Sequence, residues 1–283
     1  MLLKKIDRGD QFLKQNINLF RCPNCHQPMN QIRDYQVSCE NNHQYDLSKK
    51  GTLHFLNHTI KTDYDQGMLT HRQKMIDTGL YDQLITRLSE LLATDDIETL
   101  VDMGCGEGSF LKDLTELEVK GQKIGFDISK DGVNLATEQP IEAFWCVADM
   151  TNLPFNDQSI SHLLNIFSPS HYEEFRRVLK SQGKIIKVVP EADYLKELRA
   201  LFYENNEAKQ SYSNEKVVTK FAEELTLVSQ ERLTYQFPVP KENQIDLLKM
   251  SPLSWGATAE AFAKAQENNV ETITIDVLIL IGR

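Results

Sequence analysis

Three of the cysteines and one of the two histidines in the first 43 residues fall at metal-ligand spacing, as Cys22-Pro23-Asn24-Cys25 followed by Cys39 and His43. Their spacing is C-x2-C-x13-C-x3-H. Zinc takes tetrahedral thiolate and imidazole ligands, and two short knuckles can each supply a pair. Cys22, Cys25, Cys39 and His43 are therefore the expected ligands, with residues 31–38 as a short strand between the knuckles. Four protein ligands leave no open coordination position, so such an ion would be structural. A segment of about 40 residues buries too little to fold by itself, and the metal would supply folding energy. Cys22-Pro23-Asn24-Cys25-His26 also fits the C-x-x-C-H pattern of haem attachment, which leaves Cys39 and His43 without a purpose. An accidental cluster of buried thiols is the third reading. His26 is out of register and is expected to stay unbound.

The second stretch with chemistry in its spacing is residues 99–110, TLVDMGCGEGSF. An apolar run ends in Asp102, breaks into Gly104, Gly106 and Gly108, and resumes with apolar residues at helical spacing. A glycine turn between strand and helix lets the backbone approach a ligand. A dinucleotide fingerprint, G-x-G-x-x-G, would need glycine where Ser109 stands. The shorter G-x-G-x-G form, with an acid closing the strand, suits a ligand without a pyrophosphate but with a cationic amino-acid end, such as S-adenosylmethionine. Asp127 closes a second strand at 123–129, near the distance expected of a ribose-binding carboxylate. A bare helix cap is its alternative role. Asp149 ends a third strand at 143–148 and can accept from an adenine amino group.

These residues need a frame. Residues 160–166 form a fourth strand, and Phe167-Ser168-Pro169-Ser170 follows at its carboxyl end, where ligands of open α/β sheets bind. A helix at 171–179 leads into a fifth strand at 184–189. Helices are expected at 195–204, 219–224 and 243–250, and strands at 226–235 and 272–281, the last able to close the sheet. This alternation predicts an α/β, Rossmann-like, doubly wound and mostly parallel sheet. Ahead of it, residues 51–56 read as the closing strand of the zinc segment and 57–66 as a polar linker. Residues 68–92 are helical with a break at Gly79, which by itself reads as a helix-turn-helix element. The expected divisions are a small zinc-binding domain at 1–60, a linker and helices at 61–94, and the sheet domain at 95–283. Trp255 suits either the core or a cleft where its face stacks on a base.

The chain has 283 residues and a net charge of −10, which does not mark a nucleic-acid binder. Residues 1–60 nevertheless hold eight Lys and Arg against five acids, a net +3, which leaves −13 for the remainder. Five cysteines, an odd number, argue against a disulfide framework. No apolar run is long enough to span a bilayer, and Met1-Leu2-Leu3-Lys4-Lys5 turns polar too early for a secretory signal. The expected location is the cytoplasm.

Taken together, the chain resembles the 23S ribosomal RNA (guanine-N1)-methyltransferases of the RlmA type over nearly all its length. The CPNCH…C…H knuckle, Arg72…Asp77-Thr78-Gly79-Leu80-Tyr81, the VDMGCGEG loop, GFDIS, LPF and MSPLSW follow in that family's order. The resemblance implies S-adenosylmethionine held by Asp102, Gly104, Gly106, Glu107, Asp127 and Asp149, with Tyr81 closing over it. It implies zinc on Cys22, Cys25, Cys39 and His43, a zinc domain that grips a 23S rRNA hairpin, and a homodimer with an RNA cleft. Residues 1–17 extend ahead of the family's usual start. Tyr194, near the cofactor, stands where some relatives have histidine, and Asn165 where some have arginine. Asn165-Ile166-Phe167-Ser168-Pro169 is most similar to a Gram-positive branch associated with macrolide response. Guanine N1 must lose a proton, and Asn165 with the Ser168-Pro169 backbone are the candidates for orienting the base. The rivals are a small-molecule methyltransferase with a structural zinc module and a non-catalytic zinc RNA-binding protein.

Overall fold

A computed structural model describes residues 3–57, 60, 62–204 and 206–283. The chain starts with helix α1 (Lys5–Asn16), in a stretch from which the sequence pattern predicts no element. Its Phe12 stacks on Phe144 with ring centroids 4.8 Å apart. Gly9 presses against Gly51, where a Cβ would meet the Gly51 carbonyl oxygen at 2.5 Å. Strands β1 (Met29–Arg33), β2 (Gln36–Cys39) and β3 (Gln44–Asp46) then form a small antiparallel sheet. The single strand expected at 31–38 is instead a hairpin, because Asp34 and Tyr35 take positive φ of 50° and 64° and close a two-residue turn.

Strand β4 (Leu53–His54) corrects a second expectation. It does not close the zinc sheet but pairs in parallel with Cys146 and Val147, as the outermost strand of the large sheet. The expected linker at 57–66 includes residues 58, 59 and 61, which lie outside the described residues. Helices α2 (Gln66–Asp77) and α3 (Asp82–Leu92) follow, separated at Gly79, whose φ of +92° only glycine adopts readily. The Asp65 carboxylate caps α2 by accepting from Met68 N at 2.8 Å.

Strands and helices then alternate as β5 (Thr99–Met103), α4 (Ser109–Glu116), β6 (Gln122–Asp127), α5 (Lys130–Ala136) and β7 (Phe144–Val147). Strand β8 (Ile160–Ile166), helix α6 (Tyr172–Val178) and strand β9 (Leu179–Pro190) complete the parallel part. Helices α7 (Lys196–Phe202), α8 (Glu207–Gln210) and α9 (Glu215–Glu224) precede β10 (Leu227–Pro238). Helices α10 (Gln244–Lys249) and α11 (Ala259–Glu267) lead to β11 (Thr272–Gly282).

The sheet order is β10-β11-β9-β8-β5-β6-β7-β4, parallel from β4 to β9. The late strand β11 inserts between β9 and β10, antiparallel to both. Chain order reverses at β5 and β8, which opens the crevice where α/β sheets bind ligands. Both strands are buried throughout, which is why they read as apolar runs rather than alternating ones.

Helices cover both faces of the sheet. On one face Val101, Met103, Ile124 and Phe126 share a continuous core with Leu13, Phe20, Met29, Val37 and Tyr45 of the N-terminal segment. The seam also carries charge. Arg21 donates to both carboxylate oxygens of Glu174 at 3.4 Å, and Glu174 takes Arg177 Nε at 2.6 Å and Leu153 N at 2.6 Å. The zinc segment is thus built into the sheet domain. None of the described helices is long and apolar enough to cross a membrane.

Candidate active site and metal centre

Two tight turns build the metal centre. In the first, Cys22 N donates to Gln27 O and His26 N to Cys22 O, both at 2.8 Å, with His26 left-handed at φ 61°. In the second, Asn42 N donates to Cys39 O at 2.9 Å and Asn42 takes φ 60°. The result brings Cys22, Cys25, Cys39 and His43 together, with all ligand atoms within 4.8 Å of one another. The Cys22 Sγ–His43 Nδ1 distance is 3.5 Å and the Cys25 Sγ–Cys39 Sγ distance 3.6 Å. A tetrahedral ion with bonds of about 2.0–2.3 Å needs ligand atoms roughly 3.5–3.8 Å apart, so the cluster fits zinc. The Gln27 backbone, and then His43, hold the Cys25 thiol down at about 6, toward the thiolate that a metal requires. His26 points to solvent.

The second centre lies at the carboxyl ends of β5, β6 and β8. Gly104 N and Cys105 N both donate to Phe126 O, at 2.9 and 3.0 Å, which stitches the glycine loop to β6. Gly104 has φ +80°, and a Cβ there would meet Ser168 Oγ at 2.7 Å. Asp127 fixes the loop from the other side, its carboxylate accepting from Gly106 N at 2.9 Å and Ser129 N at 2.7 Å. Around this backbone cradle the structure buries charge. Asp102 and Glu107 are each 1% exposed, and Arg72 reaches in from α2 with Nε 3.7 Å from Glu107 Oε1. Its guanidinium also stands over the Phe110 ring, 5.5 Å from the centroid.

Asp102 Oδ2, Glu107 Oε2, Arg72 Nε and Ser109 Oγ are all buried with no hydrogen-bond partner. Burial first, and then the charges of Asp127 and Glu107, push Asp102 up to about 7 against the pull of Arg72. Burial raises Glu107 and Asp127 as well. Three carboxylates surround one guanidinium, a balance that favours a ligand with excess positive charge. S-adenosylmethionine, with a sulfonium, an ammonium and one carboxylate, meets that description. Asp149 stands one strand further out, at the end of β7, where its Oδ1 accepts from Thr151 N and Thr151 Oγ1 at 2.8 Å.

Four aromatic rings pack together beside this cluster. Tyr81 and Tyr194 share a hydroxyl–hydroxyl hydrogen bond of 2.6 Å. Phe167 lies 5.6 Å from Tyr81, 6.3 Å from Phe110 and 5.2 Å from Tyr194, centroid to centroid. Phe167 itself sits at φ 54°, a left-handed conformation costly for a bulky residue, so the surrounding turn must hold it there. Asn165 does much of that. Its Oδ1 accepts from Ser170 Oγ and Lys187 Nζ, and its Nδ2 donates to Pro169 O and Ser168 Oγ. With 0% exposure and all four bonding capacities filled, Asn165 has no atom left to face a base. Ser168 Oγ is likewise occupied, donating to Met103 O at 2.5 Å. Lys187, 2% exposed, completes the knot with bonds to Ser168 O at 3.2 Å and Ser170 Oγ at 2.7 Å, and burial lowers it to about 8.

The turn that carries Phe167 is expected at the ligand-binding end of its strand, whereas the sequence pattern gives Lys187 and Phe110 no role. The only signal for Lys187 is a lysine inside the apolar strand KIIKVVP, which a buried strand does not tolerate without partners.

Comparison with known proteins fits both centres. The family described as "RlmA, N-terminal" matches residues 20–61, and the family described as "Methyltransferase domain" matches residues 94–238. A Bacillus subtilis protein, YxjB, provisionally named a 23S rRNA (guanine-N1)-methyltransferase, is 36% identical over 94% of this chain and 98% of its own. A Streptomyces fradiae 23S rRNA (guanine(748)-N1)-methyltransferase is 26% identical over 95% of this chain and 98% of its own. Among solved structures, a chain from the Haloferax volcanii complex of the Trm112 methyltransferase activator superposes with a TM-score of 0.50. It is 20% identical and covers 79% of this chain and 98% of its own. That likeness shows the fold alone. With a zinc ribbon ahead of a methyltransferase sheet, and a relative alike over nearly its whole length, the chain belongs to the family of 23S rRNA (guanine-N1)-methyltransferases of the RlmA type.

Proposed function

We propose that the protein transfers a methyl group from S-adenosylmethionine to N1 of a guanine in a 23S rRNA hairpin loop. The observation that carries this reading is the set of buried, unpartnered groups at the glycine loop, Asp102 Oδ2, Glu107 Oε2 and Arg72 Nε, in a chain of this family. The carboxylates of Asp102 and Glu107 would hold the cationic amino-acid end and Arg72 its carboxylate. Asp127 would meet the ribose, Asp149 the adenine, and Gly104 and Gly106 would give the backbone close approach.

The bound cofactor supplies a methyl group already activated on a sulfonium. The chain's own task is therefore in-line placement of the base. Tyr81, Tyr194, Phe110 and Phe167 exclude water from the transfer path. Asn165, Ser168 and Lys187 act one step back, by fixing the turn that carries Phe167. Zinc on Cys22, Cys25, Cys39 and His43 is structural, and its module, at 1–60, would grip the RNA. Residues 61–94 join it to the methyltransferase domain at 95–283. We further read the active form as a homodimer with an RNA cleft, in the branch associated with macrolide response.

The test is methyl transfer from labelled S-adenosylmethionine to 23S rRNA of a strain lacking this gene, followed by nucleoside analysis. Label in 1-methylguanosine, lost on Asp102→Ala, is the expected result. The net charge of −10 favours a second reading, a small-molecule methyltransferase. Cofactor binding with label in a metabolite pool and none in rRNA would establish that one instead.

A further inference from the structure

Two exposed aromatic side chains stand together beside the glycine-loop cluster, one of them tied to Asp127 through Ser129. Tyr64 is 38% exposed and Trp255 45% exposed, and they pack edge to face with centroids 5.1 Å apart and planes at 80°. Neither is loosely hung. The Tyr64 carbonyl accepts from Ser129 Oγ at 2.9 Å, and the Ser129 backbone in turn holds Asp127. Trp255 rides on a tight turn, Pro252–Gly256, whose Leu253 carbonyl accepts from Tyr203 OH at 2.6 Å. Lys209 sits beside that turn, its ammonium 3.5 Å from Gly256 O and 5.0 Å from the Tyr203 ring centroid.

The other exposed tyrosines have partners that account for them. Tyr35 OH donates to Asp7, and the Tyr212 ring carries the Arg199 guanidinium. Trp145 is buried in the core. Among the described residues, the exposed tyrosines and tryptophans thus leave the Tyr64–Trp255 pair with uncovered ring surface close to Asp127.

Resting on the rRNA reading above, we propose that Tyr64 and Trp255 form the stacking platform that receives the target guanine once it has left the loop's stack. Sequence-specific RNA recognition works on splayed-out bases held against aromatic faces. An edge-to-face pair leaves ring face free, and a purine is the flat partner that covers it. Lys209 places a positive charge where a flanking phosphate of the same loop would pass, a contact that positions rather than specifies. The platform is fixed to Ser129 and hence to Asp127, so a base stacked on it is brought into register with the cofactor.

The test uses the full-length protein, S-adenosylmethionine and a 23S rRNA fragment that the wild type methylates. Trp255→Ala should raise KM for the RNA about tenfold or more, the usual cost of losing one base–aromatic stack. Trp255→Phe should recover most of that loss, and Tyr64→Ala should fall between. Dissociation constants for S-adenosylmethionine should stay within about twofold of wild type in all three. Acrylamide quenching of tryptophan emission should diminish when RNA is added, since Trp145 is already shielded. An unchanged RNA KM in Trp255→Ala would overturn the proposal. Weaker cofactor binding with unchanged RNA KM would also overturn it, by assigning the pair to the adenine. If the wild type labels no rRNA, the functional reading itself fails, a result separate from both.

Discussion

The cysteine–histidine cluster and the glycine-loop cluster both gather groups that an apolar interior rejects, yet they are assembled in opposite ways. The metal centre takes its four ligands from 22 consecutive residues, on two local turns, and points all of them at one centre. The glycine-loop cluster draws Arg72 from α2, Asp102 from β5, Glu107 from the loop and Asp127 from β6. It leaves one buried polar atom of three of those four groups, Arg72 Nε, Asp102 Oδ2 and Glu107 Oε2, without a hydrogen-bond partner. One ion would satisfy the first set completely. The second set needs a larger ligand, with several charges spread along it. Local spacing can specify a metal site, whereas only the closed fold creates a cluster that is incomplete without its ligand.

The comparison also predicts which centre matters more for stability. Cys22 and Cys39, two of the four candidate zinc ligands, lie on the core shared by the N-terminal segment and the sheet, so loss of the metal should be felt throughout the molecule. Chelation, or Cys39→Ser, should lower the unfolding midpoint by more than about 10 °C in a single transition, read by calorimetry. Two transitions, with the sheet domain unmoved, would show that the zinc segment is a separate unit.

The seam gives a smaller effect. Glu174→Ala strands Arg21 and Arg177 without their shared carboxylate and should cost about 3 kcal/mol in denaturant unfolding. A loss under about 1 kcal/mol would mean the seam is held by apolar contact alone.

Asp102 should behave in the opposite sense, because its charge is a strain in the ligand-free protein. Its carboxyl is raised to about 7 when folded, above the ordinary carboxylate range when unfolded. Between these values the folded state binds the extra proton, so stability falls as pH rises from about 4 to about 7. Asp102→Asn should therefore stabilise the ligand-free protein above pH 7, by on the order of 2 kcal/mol, and flatten this part of the pH dependence. A destabilised Asp102→Asn at pH 8 would contradict that view.

Much of this was legible before the structure. The glycine loop, its closing acid, the zinc ligands and the break at Gly79 rest on turn chemistry and short spacing, which sequence states directly. Strand β8 matches its expected bounds because a fully buried strand is an uninterrupted apolar run. The misses share a physical cause. Residues 51–56 look like any short strand, and nothing local says that Leu53 and His54 will pair with Cys146 and Val147. Helix α1, with Gly9 inside it, has weak helical preference and is held by tertiary contact with Gly51 and Phe144. Asn165 lies at the predicted strand end, but that Lys187 occupies its amide depends on register between β8 and β9. Trp255 was open between core and cleft, and its exposure removes it from the core.

The central claim is that the buried, unpartnered groups at the glycine loop are the S-adenosylmethionine site. Calorimetric titration of the zinc-loaded protein with S-adenosylmethionine at pH 8 and pH 6 tests it most directly. Ionised Asp102 is needed to hold the cationic end, so affinity should weaken on going from pH 8 to pH 6. Asp102→Asn should bind about tenfold or more weakly at pH 8 and lose most of the pH dependence. Equal affinity at both pH values, unchanged in Asp102→Asn, would place the cofactor elsewhere and leave the buried cluster without its ligand.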